Sequence, residues 1–424
     1  MQYMNNTPQD TSSLHTWLSY IESLHTKPIS LELNRVKYVA TTLNLLTPAP
    51  IIFTVAGTNG KGTTCRAIEM ILLEAGYNVG VYMSPHLISY TERVRICGKE
   101  LTDLEHTKAF LVIETARSST SLTYFEFGTL AALWLFQQAK LDVIVLEVGL
   151  GGRLDATNII DADIAIITSI ALDHTNILGG DRYSIGHEKA GIFRKGKIAV
   201  VGEPDMPDSI KKVATQKKTH LYQFNCDWSY SIIGNSWIFK DRKGCIESLP
   251  LLKIPVVNAA TAIAAIRLSS IIIKPVVFMR ALNFVSLPGR FQTISYSPLV
   301  ILDVAHNPHS AKYLAKKLIE IKKEARIHAI VGMLHDKDIS GTLSHLISHV
   351  DYWYCPSLNH PRGSSAHLLM SYLKQATYFS SVSEAWIYAT VAAKKQDIIL
   401  IFGSFHTVSQ VMKEIKNKND KILI

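Results

Sequence analysis

Short apolar runs rich in β-branched residues alternate with segments of helical spacing along most of the chain. VGVYMS, DVIVLEVG, DIAIITSI and KIAVVGE have the composition of buried strands, and a loop or a helical segment follows each. Such alternation predicts a mostly parallel sheet covered by helices. Residues 220–247 differ, because LYQF, WSYSII and SWIFK are broken by GN and KG, which predicts antiparallel hairpins.

The chain is expected to divide near residue 297. LPGRFQTISYSP precedes Pro298, and a second alternating series follows, with LVILDVAHN, RIHAIVGML, DYWYCP and DIILIFGS as strands. A chain of 424 residues is long enough for two or three domains that each bury a core. The pattern predicts two α/β domains, residues 1–297 and 298–424.

Composition favours an enzyme of the cytoplasm. No apolar stretch is long enough to cross a bilayer, and no Lys or Arg precedes Lys27 as in a signal peptide. The five cysteines are scattered, which favours a reducing compartment over disulfides or a zinc site. The net charge of +9 suits nucleic acid or small anions, yet no basic stretch is interleaved with aromatic residues. We therefore expect no nucleic acid partner and no membrane contact.

A glycine-rich turn, VAGTNGKGTT at residues 55–64, joins the apolar run IIFTV to the helical segment CRAIEMILLEAG. Its spacing departs from G-x-x-x-x-G-K-[ST], because Val55 replaces the first glycine and Gly62 separates Lys61 from Thr63. A tight strand-to-helix turn is the simpler interpretation. The coincidence of strand, lysine, hydroxyls and helix favours phosphate binding, with Mg²⁺ on Thr63 or Thr64.

Polar residues follow other predicted strands at the edge where ligands gather in open α/β sheets. Glu147 ends DVIVLE, Ser84 follows VYM, and His174 follows IITSIALD. With Lys61 they form a candidate metal–nucleotide site, since Mg²⁺ prefers hard oxygen ligands. Alternatively, Glu147 pairs with a lysine, and each histidine serves only the local structure.

Nine segments in order resemble the motifs of the folylpolyglutamate synthase family within the Mur ligase superfamily. They are GTNGKG, SPHLISYTERVRI, TYFEFGTLAAL, EVGLGGRLDATN, ITSIALDHTNILG, IGHEKAGIFR, LPGRFQ, DVAHNPHS and GMLHDKD, and the resemblance runs from about residue 14 to the end. It implies an N-terminal P-loop ATPase-like domain with a mostly parallel sheet, which binds ATP and pteroate. It also implies a smaller Rossmann-like C-terminal domain, which binds glutamate.

The resemblance implies an ATP-dependent ligase that joins L-glutamate to dihydropteroate and to tetrahydrofolate and its derivatives through an acyl phosphate. A ligase acting only on folates that already carry glutamate is the alternative. A P-loop kinase or nucleotide switch would need neither the second domain nor the lysine of EKAGIFR. The family also suggests a monomer and an active site shared between domains.

The resemblance also assigns the metal and nucleotide ligands. Two Mg²⁺ ions are assigned to Ser84, Glu147, His174 and Lys189, with Lys189 as a carbamate. The motif usually reads REKAG, and here His187 replaces its arginine. The positions matched to ATP contacts are Gly57, Thr58, Asn59, Gly60, Lys61, Gly62, Thr63, Asn258, Arg290 and Asp303. Lys61, Lys189 and His306 are the candidate catalytic residues, with His306 facing the incoming glutamate.

Three segments match the family's pteroate-binding positions. They are Ser30, Leu31, Glu32 and Leu33; Thr123, Tyr124, Phe125 and Glu126; and Leu154, Asp155 and Ala156. Phe125 is expected to stack on the pterin, or else to pack in the core, and Asp155 to accept hydrogen bonds from the pterin amino group. Arg93 and Arg95 either meet substrate carboxylates or form a basic surface strand.

Overall fold

The computed structural model describes residues 7–9, 11–27 and 30–422, with side chains described as far as residue 417. The chain forms two compact units. The first holds most of the chain up to Val285, and the second holds Ser286 onward together with Leu87–Ser89 and Leu172–His174. Residues 286–297, which the sequence places in the first domain, thus lie in the second unit.

The first unit is built on a large sheet. Its strands are β1 (Ile51–Ala56), β2 (Val79–Tyr82), β3 (Val94–Ile96), β4 (Lys99–Glu100), β5 (Val143–Glu147), β6 (Ile164–Ile167), β7 (Ile198–Val201) and β8 (His220–Gln223). The order across the sheet is β4-β3-β2-β5-β1-β6-β7-β8. β3 pairs antiparallel with both β4 and β2, and each neighbouring pair in the row β2-β5-β1-β6-β7-β8 is parallel. The predicted mostly parallel sheet is confirmed.

The predicted hairpins occupy a second, smaller sheet. Strands β9 (Trp228–Ile233), β10 (Ser236–Asp241) and β11 (Gly244–Pro250) pair antiparallel in the order β11-β10-β9. The hairpin prediction is wrong for LYQF, which forms β8 and pairs parallel with β7, His220 opposite Ile198. A helix separates β7 from β8, and a strand–helix–strand connection within one sheet gives parallel pairing.

Helices pack against the large sheet, whose central strands β1, β5 and β6 are buried except at the half-buried Ile51. They are α1 (Leu14–Ser23), α2 (Asn34–Thr42), α3 (Lys61–Glu74), α4 (Asp103–Arg117), α5 (Tyr124–Ala139), α6 (Thr175–Leu178), α7 (Arg182–Ala190), α8 (Asp208–Lys217), α9 (Val256–Leu268) and α10 (Pro275–Leu282). Short 3₁₀ turns lie at Tyr90–Arg93 and Ala156–Ile159. No helix in the described ranges is long and apolar enough to span a membrane.

The second unit is a smaller α/β layer structure. Its strands are β12 (Gln292–Tyr296), β13 (Leu299–Leu302), β14 (Ile327–Val331), β15 (Tyr352–Pro356), β16 (Thr377–Phe379) and β17 (Ile398–Phe402). Its helices are α11 (Pro308–Lys322), α12 (Ile339–Ser344), α13 (Ala366–Met370), α14 (Val382–Ala392) and α15 (Phe405–Ile422). The order is β12-β13-β17-β14-β15-β16, parallel except for β12. The predicted α/β class is confirmed in both units.

Candidate active site

The glycine-rich loop of residues 57–60 connects β1 to the N-terminus of α3. Gly60 has a φ of 86°, and a Cβ there would come 2.6 Å from the side-chain oxygen of Asn258, so the position requires glycine. The Lys61 ammonium donates to the carbonyl of Gly57 at 3.0 Å, which keeps it over the loop. The loop thus combines the amide groups of a helix N-terminus with a cation, as phosphate binding requires.

Asn258 on α9 lies directly against this loop. Its side-chain amide donates to the hydroxyl of Thr63 at 2.7 Å, and that hydroxyl donates to Gly60 O at 2.9 Å. Asn258 is only 7% exposed. The first unit therefore brings Asn258 together with the phosphate loop, although 195 residues separate Asn258 from Thr63.

Ser84 and Glu147 meet at the carboxyl ends of the neighbouring strands β2 and β5. The amide of Ser84 donates to a carboxylate oxygen of Glu147 at 3.1 Å, and Glu147 is buried. Glu147 stands in register with Val55, just before the phosphate loop. Within the described residues no three His, Cys, Asp or Glu side chains converge on a metal position. A hydroxyl and a carboxylate still suit Mg²⁺, which commonly takes one or two carboxylates and completes its shell with phosphate oxygens and water.

Lys189 lies in the last turn of α7 and is only 3% exposed. A Cβ on Gly152 would approach the carbonyls of Glu188 and Lys189 to 2.9 Å, so this glycine lets the loop pack against the end of the helix. The Glu188 carboxylate pairs with Arg153 at 3.0 Å. His187 has a half-exposed side chain 3.9 Å from Glu188.

Two of the predicted pteroate segments are tied together by an arginine that the sequence analysis missed. Arg35 on α2 donates to Glu32 at 2.8 Å and to Glu126 at 3.0 Å. Glu126 also accepts from the amide of Thr123 at 2.7 Å, closing the capping box that begins α5. The Glu126 carboxylate is thus occupied within the protein.

All three predicted pteroate segments contribute residues to one apolar cluster of the first unit. Ala156 belongs to that cluster, and Leu33, Tyr124 and Phe125 pack half-buried against it. Phe125 also lies against Gly149, where a Cβ would come 2.6 Å from the ring. The first unit therefore brings residues of all three predicted segments to one apolar cluster.

Asp155 organises its own loop. It is buried, and it accepts hydrogen bonds from the amides of Leu150 at 2.9 Å and Thr157 at 3.0 Å and from the Thr157 hydroxyl at 2.7 Å. Burial raises the pKa of Asp155, and these donors oppose that shift only in part. The side chain holds the loop shape that presents Leu154 and Ala156.

Arg93 and Arg95 are not on a basic surface strand, so that alternative is wrong. Arg95 bonds the fully buried carboxylate of Glu69 on α3, at 2.6 Å from its Nη2. Burial alone would raise the pKa of Glu69, but the bonds and charges of Arg95 and Arg66 outweigh it and lower the pKa. Arg93 is buried, donates to His86 Nδ1 at 2.9 Å, and lies 5.3 Å from the centre of the Tyr124 ring.

In the second unit, Asp303 follows the end of β13. It accepts from the amides of Phe291 and Ala305, each at 2.8 Å, and burial raises its pKa against the opposing charge of Arg290. The Arg290 guanidinium lies 5.0 Å from the centre of the Phe405 ring. This unit thus places the predicted nucleotide residues Arg290 and Asp303 near each other.

Asp173 is the centre of a polar cluster in the second unit. It bonds Lys337 at 2.6 Å and the side chain of Asn307 at 3.1 Å, and it lies 3.4 Å from His306 Nε2. Burial alone would raise its pKa, but His306 and Lys337 hold the pKa well below its usual range. The Lys337 ammonium also lies 3.3 Å from His174 Nε2. Lys337, in the motif GMLHDKD, was not identified from the sequence as a site residue.

His174 and His306 thus both contact this cluster, His174 through Lys337 and His306 through Asp173. His174 adopts a positive φ of 52°, uncommon for a residue with a side chain and more frequent at functional positions. His306 Nδ1 lies 2.8 Å from Val304 O, which fixes the ring over the end of β13. Both imidazoles are thus held in defined orientations.

Two family models match the chain. The Mur ligase middle domain matches residues 55–246, and the Mur ligase glutamate ligase domain matches residues 289–405. The dihydrofolate synthase/folylpolyglutamate synthase of Escherichia coli (strain K12) is 56% identical over 412 residues, which covers 97% of this chain and 98% of that protein.

Solved structures give the same result. E. coli FolC in complex with DHPP and ADP superposes with a TM-score of 0.96 at 56% identity, over 97% of this chain and all of that one. A bifunctional folylpolyglutamate synthase/dihydrofolate synthase with Mn, AMPPNP and L-glutamate bound has a TM-score of 0.93 at 55% identity, with the same coverage. The chain belongs to the dihydrofolate synthase/folylpolyglutamate synthase family of Mur ligases.

Proposed function

We propose that this protein is an ATP-dependent ligase that joins L-glutamate to dihydropteroate and adds further glutamates to tetrahydrofolate and its derivatives. The observation that carries the proposal is the 56% identity, over 97% of this chain, to a protein named dihydrofolate synthase/folylpolyglutamate synthase. The phosphate loop with Lys61, the Ser84–Glu147 pair and the gathered pteroate segments support it.

The first step activates the acceptor. Its carboxylate oxygen attacks the γ-phosphorus of ATP, the bond to the β-phosphate oxygen breaks, and an acyl phosphate and ADP result. Lys61 and the amides at the start of α3 hold the phosphates and offset their charge, which is most of what phosphoryl transfer asks of a protein. Ser84, Glu147, His174 and a carbamate on Lys189 would hold Mg²⁺, which adds charge neutralisation when bound.

The second step forms the amide. The neutral amine of L-glutamate attacks the acyl carbon, phosphate leaves, and the nitrogen gives up one proton, which the released phosphate can take, so that the amide keeps a single N–H. His306, oriented by Asp173 and Val304, faces the incoming glutamate in this proposal. Asn258, Arg290 and Asp303 contact ATP, and the surface around Phe125 takes the pterin. Positioning of the two reactants supplies much of the rate enhancement.

Carbamylation of Lys189 is supported by its burial at the end of α7, because an ammonium would repel Mg²⁺ whereas a carbamate offers two anionic oxygens. A cytoplasmic location is supported by the five cysteines, all of them free thiols. A monomer remains our proposal, and light scattering of the purified protein against the chain mass of 47.2 kDa tests it.

A ligation assay tests the function. Purified protein is given ATP, Mg²⁺, L-glutamate and either dihydropteroate or tetrahydrofolate, and both product and released phosphate are measured. Product from both acceptors, with phosphate release that requires acceptor and glutamate together, is expected. Product from tetrahydrofolate but not from dihydropteroate would show that the protein is a folylpolyglutamate synthase without dihydrofolate synthase activity. Phosphate transfer without glutamate would indicate a kinase instead.

A further inference from the structure

A cavity of about 570 Å³ opens on the first unit beside the C-terminal end of α8. Every charged side chain that lines it is a cation, namely Arg153, Arg194, Lys195, Lys217 and Lys218. None of the five belongs to the residues assigned above to ATP, metal or pteroate. A concave surface with this lining attracts anions and repels cations.

The positive charge of this basic cavity is only partly compensated. Arg153 pairs with Glu188, and Arg194 pairs with Asp161. The Lys217 ammonium instead donates to two carbonyl oxygens, those of Gly191 at 2.7 Å and Phe193 at 3.1 Å. Burial, followed by the charges of Arg194 and Arg153, lowers the pKa of Lys217 to about 8. An anion beside Lys217 would relieve this repulsion.

The basic cavity adjoins two of the pteroate segments. Leu33, the last residue of the first segment, lines it directly. Arg153 immediately precedes Leu154, and its carbonyl accepts from the side chain of Asn158 at 2.8 Å. An anionic group in the cavity is therefore next to the loop that would hold the acceptor, and it could belong to the same molecule.

We propose that the basic cavity binds the γ-linked oligoglutamyl tail of an extended folate, with its cations facing the free α-carboxylates. Each added glutamate brings one more such carboxylate, whereas dihydropteroate carries none. The spread of five cations around the cavity suits several carboxylates along a chain. The inference rests on the proposed function, and it names the part of the protein that recognises the longer substrates.

The test replaces the two exposed lysines Lys195 and Lys218 and leaves the paired Arg153 and Arg194 unchanged. The double variant Lys195→Gln with Lys218→Asn, called the rim variant, removes two positive charges from the lining of the cavity. Asn is chosen at position 218 because it tolerates the left-handed backbone there, where φ is 53°. Lys211→Gln with Lys212→Gln removes the same charge from α8 outside the cavity and serves as the control. We expect the rim variant to raise the KM for triglutamyl tetrahydrofolate about tenfold. Its kcat and its KM for dihydropteroate should stay at the wild-type values.

An equal rise in KM for both acceptors, no rise for either, or the same rise in the control would overturn the proposal. The γ-linked triglutamate peptide and inorganic phosphate are also compared as competitors of the triglutamyl folate. Stronger competition by the peptide, weakened in the rim variant, supports a tail site, whereas equal competition would indicate a general anion site and reject it. If the wild type ligates no acceptor, the proposed function fails, and calorimetric binding of the peptide alone still decides on the cavity.

Discussion

At the residue scale, the most informative side chains are the buried charged ones. A buried cation or carboxylate is stable only where partners or a ligand compensate it. Glu69 and Asp173 have their partners within their own units. Lys189 is also buried, at the end of α7, where the proposed chemistry requires an anionic group.

Replacement of Lys189 by alanine is therefore expected to lower kcat about 10²- to 10³-fold, as loss of one preorganised electrostatic group does in other enzymes. Phosphate release in the presence of both substrates measures it. A short carboxylic acid added at high concentration should restore part of the activity, because it can replace the carbamate oxygens. His187→Ala, at an exposed neighbour on the same helix, should be nearly as active as wild type. Full activity of Lys189→Ala would remove the carbamate from the mechanism.

Replacement of Asp173 by asparagine should destabilise the protein by about 3 kcal/mol at neutral pH, because it leaves the buried ammonium of Lys337 without its counter-charge. The folded-state pKa of Asp173 lies below the unfolded value of about 3.9. Its contribution is therefore complete above that pH and is lost as the pH falls toward the folded pKa. Urea unfolding at a series of pH values measures the difference between wild type and variant.

That difference should shrink below about pH 4, where the carboxylate of Asp173 begins to be protonated. Asp205→Asn removes an exposed carboxylate paired with Arg182 and should change stability by less than about 1 kcal/mol. A difference for Asp173→Asn that fails to shrink below about pH 4 would contradict the argument.

At the scale of elements, the phosphate loop and α3 offer a matched pair of glycines. Gly60 and Gly76 flank the helix with φ values of 86° and 88°, so alanine costs similar backbone strain at either position. A Cβ at Gly60 would collide with Asn258, whereas a Cβ at Gly76 would meet open space. Gly60→Ala should therefore raise the KM for ATP at least about tenfold, and Gly76→Ala should lower stability alone.

Steady-state kinetics against ATP, with the melting temperature of each variant, separates the two effects. Equal KM values for the two variants would show that the contact between Gly60 and Asn258 does not shape the nucleotide site.

The sequence predicts elements where the signal is local. The turn from β1 to α3 and the strand ending at Glu147 both follow from spacing and residue type. It does not predict partners far along the chain. Arg35 meets Glu126 across 91 residues, and Lys337 meets Asp173 across 164, and no local pattern marks either pair. The hairpin prediction for LYQF is wrong for the same reason, since a short apolar run does not specify which strand it pairs with.

At the scale of the whole molecule, the net charge of +9 invites a test against nucleic acid. Five cations line the basic cavity, and no basic run of the sequence is interleaved with aromatic residues. We expect neither RNA nor single-stranded DNA to stimulate phosphate release in the absence of an acceptor. A steady stimulation at physiological salt would revive a nucleic-acid function.

The antiparallel strand β12 has a practical consequence for anyone who wishes to express the second unit alone. β12 covers the outer side of β13, pairing Gln292 with Leu302 and Tyr296 with Leu299. A fragment that starts at Pro298, as the sequence suggests, would lack this cover and leave β13 as a bare edge. Bare hydrophobic edges recruit other chains and aggregate. A fragment that starts at Ser286 retains β12 and keeps β13 paired on that side.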